Sequence, residues 1–358
     1  MVVAESEVMT ALHFSCACQS VRGSVTIPTS ELPLPFDFCH CNTCRHQTGL
    51  LGASYLTLPE GSTKITFNGP LSNFKSSDTV TRTFCSHCGA NVYVQDSNEP
   101  RPDICTGVLD RADGVVTLRN HIFVPDSKDG GLSSWIPDIP MWKTFSKPHH
   151  QSEQLDTGQQ RKLKIDSKGS SELHAHCQCG GVQFKITRPN QHSRDLLSPY
   201  SDLCWADVTG NTLANKEDSK WWLCAEGRKY LAGTCACRSC RLASGFDVQM
   251  WAFVPKSNIL QSNDDSLDLS MGSLKVYESS RGIHRHFCGT CGATVFWRGD
   301  ERPELIDVSV GLLDAEEGAR ADSWLEWRTD RVSFEEEAQN KELISKLGAG
   351  LKRWGNTA

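Results

Sequence analysis

The sequence predicts a mainly β protein built as two tandem domains and closed by a C-terminal helix. Three observations carry this. One set of cysteine-led motifs is written twice in the same order. Around these motifs apolar residues alternate at period two in short runs ending at Gly or Pro, the pattern of half-buried strands. Helical spacing of apolar residues is confined to the end of the chain.

Each copy opens on a Cys-x-Cys pair, Cys16-Ala17-Cys18 and then Cys177-Gln178-Cys179. A short strand follows in each, through Val21, Val25 and Ile27 to Pro28, and through Val182, Phe184 and Ile186 to Pro189. Next come the triple runs, Cys39-His40-Cys41-Asn42-Thr43-Cys44 and Cys235-Ala236-Cys237-Arg238-Ser239-Cys240. Both continue with Arg (Arg45, Arg241) and reach Gly (Gly49, Gly245) before a strand that leaves the loop and ends at Pro59 or Pro255. Later, Arg82-Thr83-Phe84-Cys85-Ser86-His87-Cys88-Gly89 matches Arg285-His286-Phe287-Cys288-Gly289-Thr290-Cys291-Gly292, and a strand follows each. Last, the stretch from Asp103 to Asp110 matches that from Asp307 to Asp314.

The copies differ between and beyond these motifs. Residues 148–172 are polar and read as a surface linker or a docked segment. The second copy carries an aromatic-rich insertion, about residues 190–232, which holds Tyr200, Trp205, Trp221 and Trp222. So many aromatics predict packing on its own domain or on the other repeat. The first copy has instead a Trp- and Pro-rich tail, Trp135 to Trp142. Glu335 to Leu351 has helical composition, with Leu343, Ile344, Leu347 and Leu351 spaced for one packed face.

Composition bounds the function. The chain has 358 residues, long enough for two cores, and a formal net charge of −6, which argues against broad capture of nucleic acid or of an anionic membrane. No apolar run approaches the roughly 18 residues of a membrane span. Residues 1–7 carry acids where a secretory signal would carry bases, so the expected location is cytoplasmic, with the nucleus as the alternative. The 17 cysteines are the outlier. Their number is odd and their spacing is that of metal knuckles rather than of a disulfide framework.

The shared cysteines of each copy fall into groups of two, three and two. The first and last pairs form two ribbon-type knuckles whose four thiolates close a tetrahedron around zinc at about 2.3 Å. One such site is Cys16, Cys18, Cys85 and Cys88, and the other is Cys177, Cys179, Cys288 and Cys291. Sites of this kind contribute on the order of 10 kcal/mol to folding. The triples, Cys39, Cys41, Cys44 and Cys235, Cys237, Cys240, then have three thiolates each. No fourth Cys or His is common to both copies: Cys105 aligns with Ser309, and Cys204 and Cys224 lie in the insertion. The fourth ligand is thus water, a substrate thiol, or a carboxylate such as Asp103/Asp307 or Asp110/Asp314. Three thiolates make zinc a poor Lewis acid but suit it to holding a thiol deprotonated at neutral pH. Arg45 and Arg241 either offset this charge, bind a substrate carboxylate, or are ordinary ion-paired surface residues.

These motifs, in this order, resemble those of the glutathione-dependent formaldehyde-activating enzyme family, which also includes centromere protein V. The resemblance covers about residues 12–142 and 173–330. It implies a tandem duplication of a zinc-containing β-tent type domain, with the first at 1–147 and the second at 173–358. It also implies a structural four-cysteine zinc and a catalytic three-cysteine zinc in each copy, four zinc ions per chain. Carried over by position, the catalytic ligands are Cys39, Cys41, Cys44, Cys235, Cys237 and Cys240. The implied activity is that of a carbon–sulfur lyase joining glutathione, or a related thiol, to formaldehyde or another aldehyde. The first copy departs from the pattern in having Gln19 where the second has Gly180. The alternative function is a non-enzymatic zinc-stabilised binding module that uses the aromatic insertion as its partner surface. Oligomeric state is left open.

Overall fold

The computed structural model describes residues 8–146, 152–155, 170–207 and 213–357. The acidic start at 1–7 and most of the 148–172 linker lie outside the described residues. The part of the linker that is described is docked, since Gln154–Leu155 forms an antiparallel pair with Met141–Trp142.

Each sequence copy becomes a small and a large sheet. In the first half Met9–Ser15, Arg22–Pro28 and Thr66–Asn68 form the small antiparallel sheet. The large sheet runs from Gln154–Leu155 through Met141–Trp142, Val116–Ile122, Leu34–Cys39, Ala53–Leu56, Asp103–Cys105, Asn91–Asp96 and Val80–Cys85 to Leu71–Lys75. In the second half the small sheet is Glu172–His176, Gln183–Thr187 and Ile259–Gln261. Its large sheet runs from Lys229–Cys235 through Gln249–Pro255, Leu305–Ser309, Thr294–Gly299 and Ile283–Cys288 to Leu274–Ser280. A parallel pairing recurs too, Val116–Ile122 beside Leu34–Cys39 and Leu325–Trp327 beside Lys229–Cys235. The duplication read from cysteine motifs is therefore a duplication of strand order.

The sequence predicts a strand directly after each triple run, but a helix intervenes. Helix α1 (Asn42–Thr48) follows the first triple. After the short α2 (Gln191–Asp195), helix α3 (Arg238–Ser244) follows the second triple. Seven residues are too few to show a helical period, so the caps define these helices. The sulfur of Cys41 or Cys237 accepts the amide of Cys44 or Cys240 at 3.3 or 3.2 Å, and Gly49 or Gly245 ends the helix in the left-handed region.

The repeats face each other across a pseudo-two-fold contact whose bonds are reciprocal, as in an isologous dimer. Gly107 donates its amide to Gly245 O and Gly311 to Gly49 O, both at 2.9 Å. Arg45 Nη1 donates to the carbonyls of Gly311 and Leu313, and Arg241 Nη1 to those of Gly107 and Leu109. Phe84 lies over Gly292 and Phe287 over Gly89, where a side-chain carbon would overlap the ring. One apolar core is continuous through both halves.

The remaining elements reinforce this union. Helix α4 (Lys341–Thr357) buries Leu343, Ile344, Leu347 and Leu351 as its spacing predicts. It docks on the first half's Trp-rich tail, with Gly350 against the Trp135 carbonyl and Trp354 6.0 Å from the Trp135 ring. The insertion packs on its own repeat. Trp221 and Trp222 are buried with Leu203, Leu231, Phe253 and Leu305, so these two indoles offer no partner surface.

The glycines at the contact set a sharp test. A Cβ on Gly107 would sit 2.3 Å from Phe246 N, and one on Gly311 2.2 Å from Leu50 N. These neighbours are backbone of the other repeat and have nowhere to move. Gly107→Ala and Gly311→Ala are each expected to destabilise the protein by about 2 kcal/mol or more, read as a lower denaturant midpoint. An unchanged midpoint would refute the reciprocal contact.

Candidate metal centres and substrate site

Local structure explains why each three-cysteine set converges. Cys39 and Cys235 end strands, Cys41 and Cys237 are helix N-caps, and Cys44 and Cys240 lie in the first helical turn. Strand end, cap and first turn aim three sulfurs at one point, all within 4.8 Å of one another. The two four-cysteine sets assemble as the spacing predicted. Cys16 and Cys18 meet Cys85 and Cys88, and Cys177 and Cys179 meet Cys288 and Cys291, again within 4.8 Å. Backbone amides point at these sulfurs, from Val21 to Cys16 and Val182 to Cys177 at 3.3 Å and from Cys291 to Cys288 at 3.4 Å. Amides aimed at sulfur favour thiolate over thiol, as a metal requires. No disulfide joins any of the 17 cysteines.

None of the carboxylates considered as a fourth ligand joins a three-cysteine set among the described residues. Asp103 accepts from the Thr57 hydroxyl, and Asp307 is held by both Nη atoms of Arg302 at 2.6 and 3.0 Å. Asp110 accepts from Ser15, and Asp314 faces His46 and His176. Each triple keeps three protein sulfurs and no fourth His, Cys or carboxylate among the described residues.

The residues that offset the sulfur charge are not the arginines that follow the triples. Arg45 and Arg241 are buried and spent on carbonyls of the opposite repeat. Arg45 also approaches Asp314 at 3.5 Å. The sulfurs are met instead by Arg82 and Arg285, three residues before the late knuckles. Arg82 Nη2 lies 3.3 Å from Cys44 Sγ, and Arg285 Nη1 3.5 Å from Cys240 Sγ. Their Nε atoms are fixed by Ser76 and Ser279, at 3.0 and 3.1 Å. Hydrogen bonds from Cys39 and Cys41, together with Arg82, hold the Cys44 thiol well below its ordinary pKa. Cys235, Cys237 and Arg285 do the same for Cys240. A signal for this pair was present in the sequence, since both copies place Arg and Ser at these positions, but nothing local linked them to sulfurs about 40 residues away.

Around this shared frame the two sites differ. At the first, Arg82 also donates to the Tyr55 hydroxyl at 2.6 Å, and that hydroxyl lies 3.9 Å from Cys44 Sγ. Burial pushes the Tyr55 phenol well above its ordinary pKa, so it keeps its proton. At the second, Trp251 occupies the Tyr55 position, and Arg285 donates instead to Ser239 Oγ at 2.9 Å. The second triple also opens into a cavity of about 340 Å³.

A fifth cluster, His46, His176 and Asp314, lies between the repeats beside a polar cavity of about 470 Å³. Each Nδ1 bonds a backbone carbonyl, of His176 at 2.9 Å and Cys177 at 3.0 Å, so both Nε2 atoms face Asp314 at 3.1 Å. The rings stack at 4.0 Å and 2°. Parallel rings point their lone pairs side by side rather than at one ion, and Arg45 Nη2 already lies 2.9 Å from His46 Nε2. The cluster is a polar tie between repeats.

The glutathione-dependent formaldehyde-activating enzyme family matches the chain twice, over residues 11–126 and 223–328, and the chain belongs to that family. The second match begins after Cys177 and Cys179, yet the fold returns both to Cys288 and Cys291. No curated protein matches the chain significantly. No helix among the described residues is long and apolar enough to cross a membrane.

The two kinds of cysteine site should respond differently to substitution. Cys88→Ser is expected to lose one metal equivalent and the cooperative thermal transition. Cys41→Ser is expected to lose one equivalent and keep the fold, because serine is itself a good N-cap. Metal stoichiometry measured with a thermal melt checks both, and equal melting temperatures for the two variants would contradict the distinction.

Proposed function

We propose that the protein is a zinc-dependent carbon–sulfur lyase that joins a thiol, glutathione or a relative of it, to an aldehyde and reverses that addition. The observation that carries the reading is the pair of three-cysteine centres, each without a fourth protein ligand among the described residues and with a buried arginine on its third sulfur. Family membership supports it, since the family is named for activating formaldehyde with glutathione. Cys39, Cys41, Cys44 and Cys235, Cys237, Cys240 would hold zinc at these centres. The four-cysteine sets would hold a structural zinc in each repeat.

The donor sets fit zinc. Soft sulfur ligands select it, and a tetrahedral ion with three protein ligands leaves one position for a substrate atom. When bound there, zinc lowers the pKa of a thiol so that its sulfur is nucleophilic at neutral pH. The chain's own residues do the rest. Arg82 and Arg285 offset the negative charge of the sulfur cluster, which keeps an incoming sulfur from being repelled. A hydroxyl bonded to the same guanidinium, Tyr55 at the first site and Ser239 at the second, stands where it can carry a proton. In the addition a carbon–sulfur bond forms and the thiol proton ends on the former carbonyl oxygen. Nothing is oxidised or reduced, and the reverse step returns that proton to sulfur.

Exchange between glutathione, ¹³C-formaldehyde and their adduct, followed by NMR, tests this directly. The double variant Cys41→Ser, Cys237→Ser is expected to fold and to leave only the uncatalysed exchange rate; unchanged exchange would refute the proposal. Arg82→Met combined with Arg285→Met should keep the metal content while lowering exchange roughly 10–100-fold, the range for residues that support metal ligands. Full activity in that variant would show that charge compensation is dispensable.

A further inference from the structure

The two three-cysteine centres have diverged at the positions that line the second centre's cavity. In the first repeat the strand after helix α1 presents Tyr55 and then the exposed Thr57, and the knuckle hairpin presents Val94. The matching positions of the second repeat are Trp251, Phe253 and Trp297. All three line the cavity at Cys235, Cys237 and Cys240, and Phe334 joins them. The insertion, absent from the first repeat, supplies a further wall through Tyr200 and Leu203. Its own cluster fixes that wall, with Trp221 5.0 Å from Phe253 and 6.5 Å from Tyr200.

Charge in the cavity points the same way. Among the described lining residues the cations are Arg285 and Arg302, and both are committed. Arg285 serves Cys240, Ser239 and Ser279, and Arg302 is locked on Asp307 with its guanidinium 4.4 Å from the Trp297 ring. The lining carboxylates Asp202, Glu301 and Asp307 outnumber these guanidiniums, and the sulfur cluster adds further negative charge. Glutathione carries two carboxylates, and a site built to take it would aim free cations at them. An aromatic-walled cavity with its cations already paired favours an apolar body instead.

We propose that the second centre takes a thiol, or the adduct of a thiol with an aldehyde, whose body is aromatic or bulky aliphatic and carries no net negative charge. Trp251, Phe253, Trp297 and Tyr200 are the residues that set this preference, and the first centre lacks them. The proposal rests on the lyase reading for its chemistry. In the adduct the carbon–sulfur bond breaks, the hydroxyl proton returns to sulfur and the aldehyde leaves, with no redox change.

Calorimetric titration of the full-length, metal-loaded Cys41→Ser variant isolates the second centre, with benzyl mercaptan and glutathione as the probes. Benzyl mercaptan is expected to bind at least tenfold more tightly. Phe253→Thr with Trp297→Val, which restores the first repeat's residues, should erase most of that ratio. Because this pair also packs the insertion, Tyr200→Arg is the second variant. It places a free cation on the wall and should strengthen glutathione binding while weakening benzyl mercaptan binding. Equal affinities, a preference for glutathione, or no binding of either thiol would overturn the proposal. Turnover of glutathione adducts with glutathione preferred would overturn it and leave the lyase reading standing. Apolar preference in binding, with no adduct turned over, would overturn the lyase reading alone.

Discussion

The structure depends on a reciprocal clamp between the repeats, in which the arginine after each three-cysteine loop donates to two backbone carbonyls of the opposite repeat. Those carbonyls belong to a turn that sits directly on the helix C-cap glycine, Gly49 or Gly245. The clamp is buried, where a guanidinium is costly unless its donors are met, and Nη1 of each arginine meets two carbonyls while Nε of both has no partner. It therefore holds both metal loops rigid at once, because each loop is braced by the other repeat's sheet. Gln47 extends the same logic by donating to Cys291 O at 2.9 Å, which ties the first three-cysteine loop to the second four-cysteine knuckle. Cysteine clusters, helix caps and repeat interface form one mechanical unit.

Within that unit the distribution of charge determines what the sulfur clusters can do. Three sulfurs in a buried loop accumulate negative charge that water cannot screen. Arg82 and Arg285 answer it from a neighbouring strand, each held at its third nitrogen by a serine hydroxyl. The arrangement is the same in both repeats, so it belongs to the frame. What surrounds the sulfurs is not the same: a tyrosine hydroxyl in the first, tryptophans and a packed insertion in the second. Duplication left the cysteine frame and its arginine in place and freed one copy's surroundings to change.

Much of the fold was legible in the sequence because its signals are local and repeated. The period-two runs around Val25 and Phe184, the cysteine groups, and the apolar face of Leu343, Ile344, Leu347 and Leu351 all lie within short windows. The helices at Asn42–Thr48 and Arg238–Ser244 were hidden because seven residues carry no period and their N-caps are sulfurs rather than the usual oxygens. The insertion's aromatics announced burial, and the structure adds that one of them, Tyr200, walls a cavity over the second three-cysteine loop.

By itself the sequence determined that there are two equivalent domains and which cysteines group together, since spacing and duplication need no knowledge of distant contacts. Only the tertiary structure decided which arginine meets sulfur and which meets backbone. Arg45 reaches carbonyls more than 260 residues away, whereas Arg82 reaches Cys44 across a sheet. Both are single arginines beside cysteine motifs, and no local pattern separates them. It was likewise the fold that assigned the candidate aspartates to other partners and left the fourth side of each three-cysteine loop without a protein ligand among the described residues. A ligand's reach depends on where strands and helices bring it, and chain order does not record that.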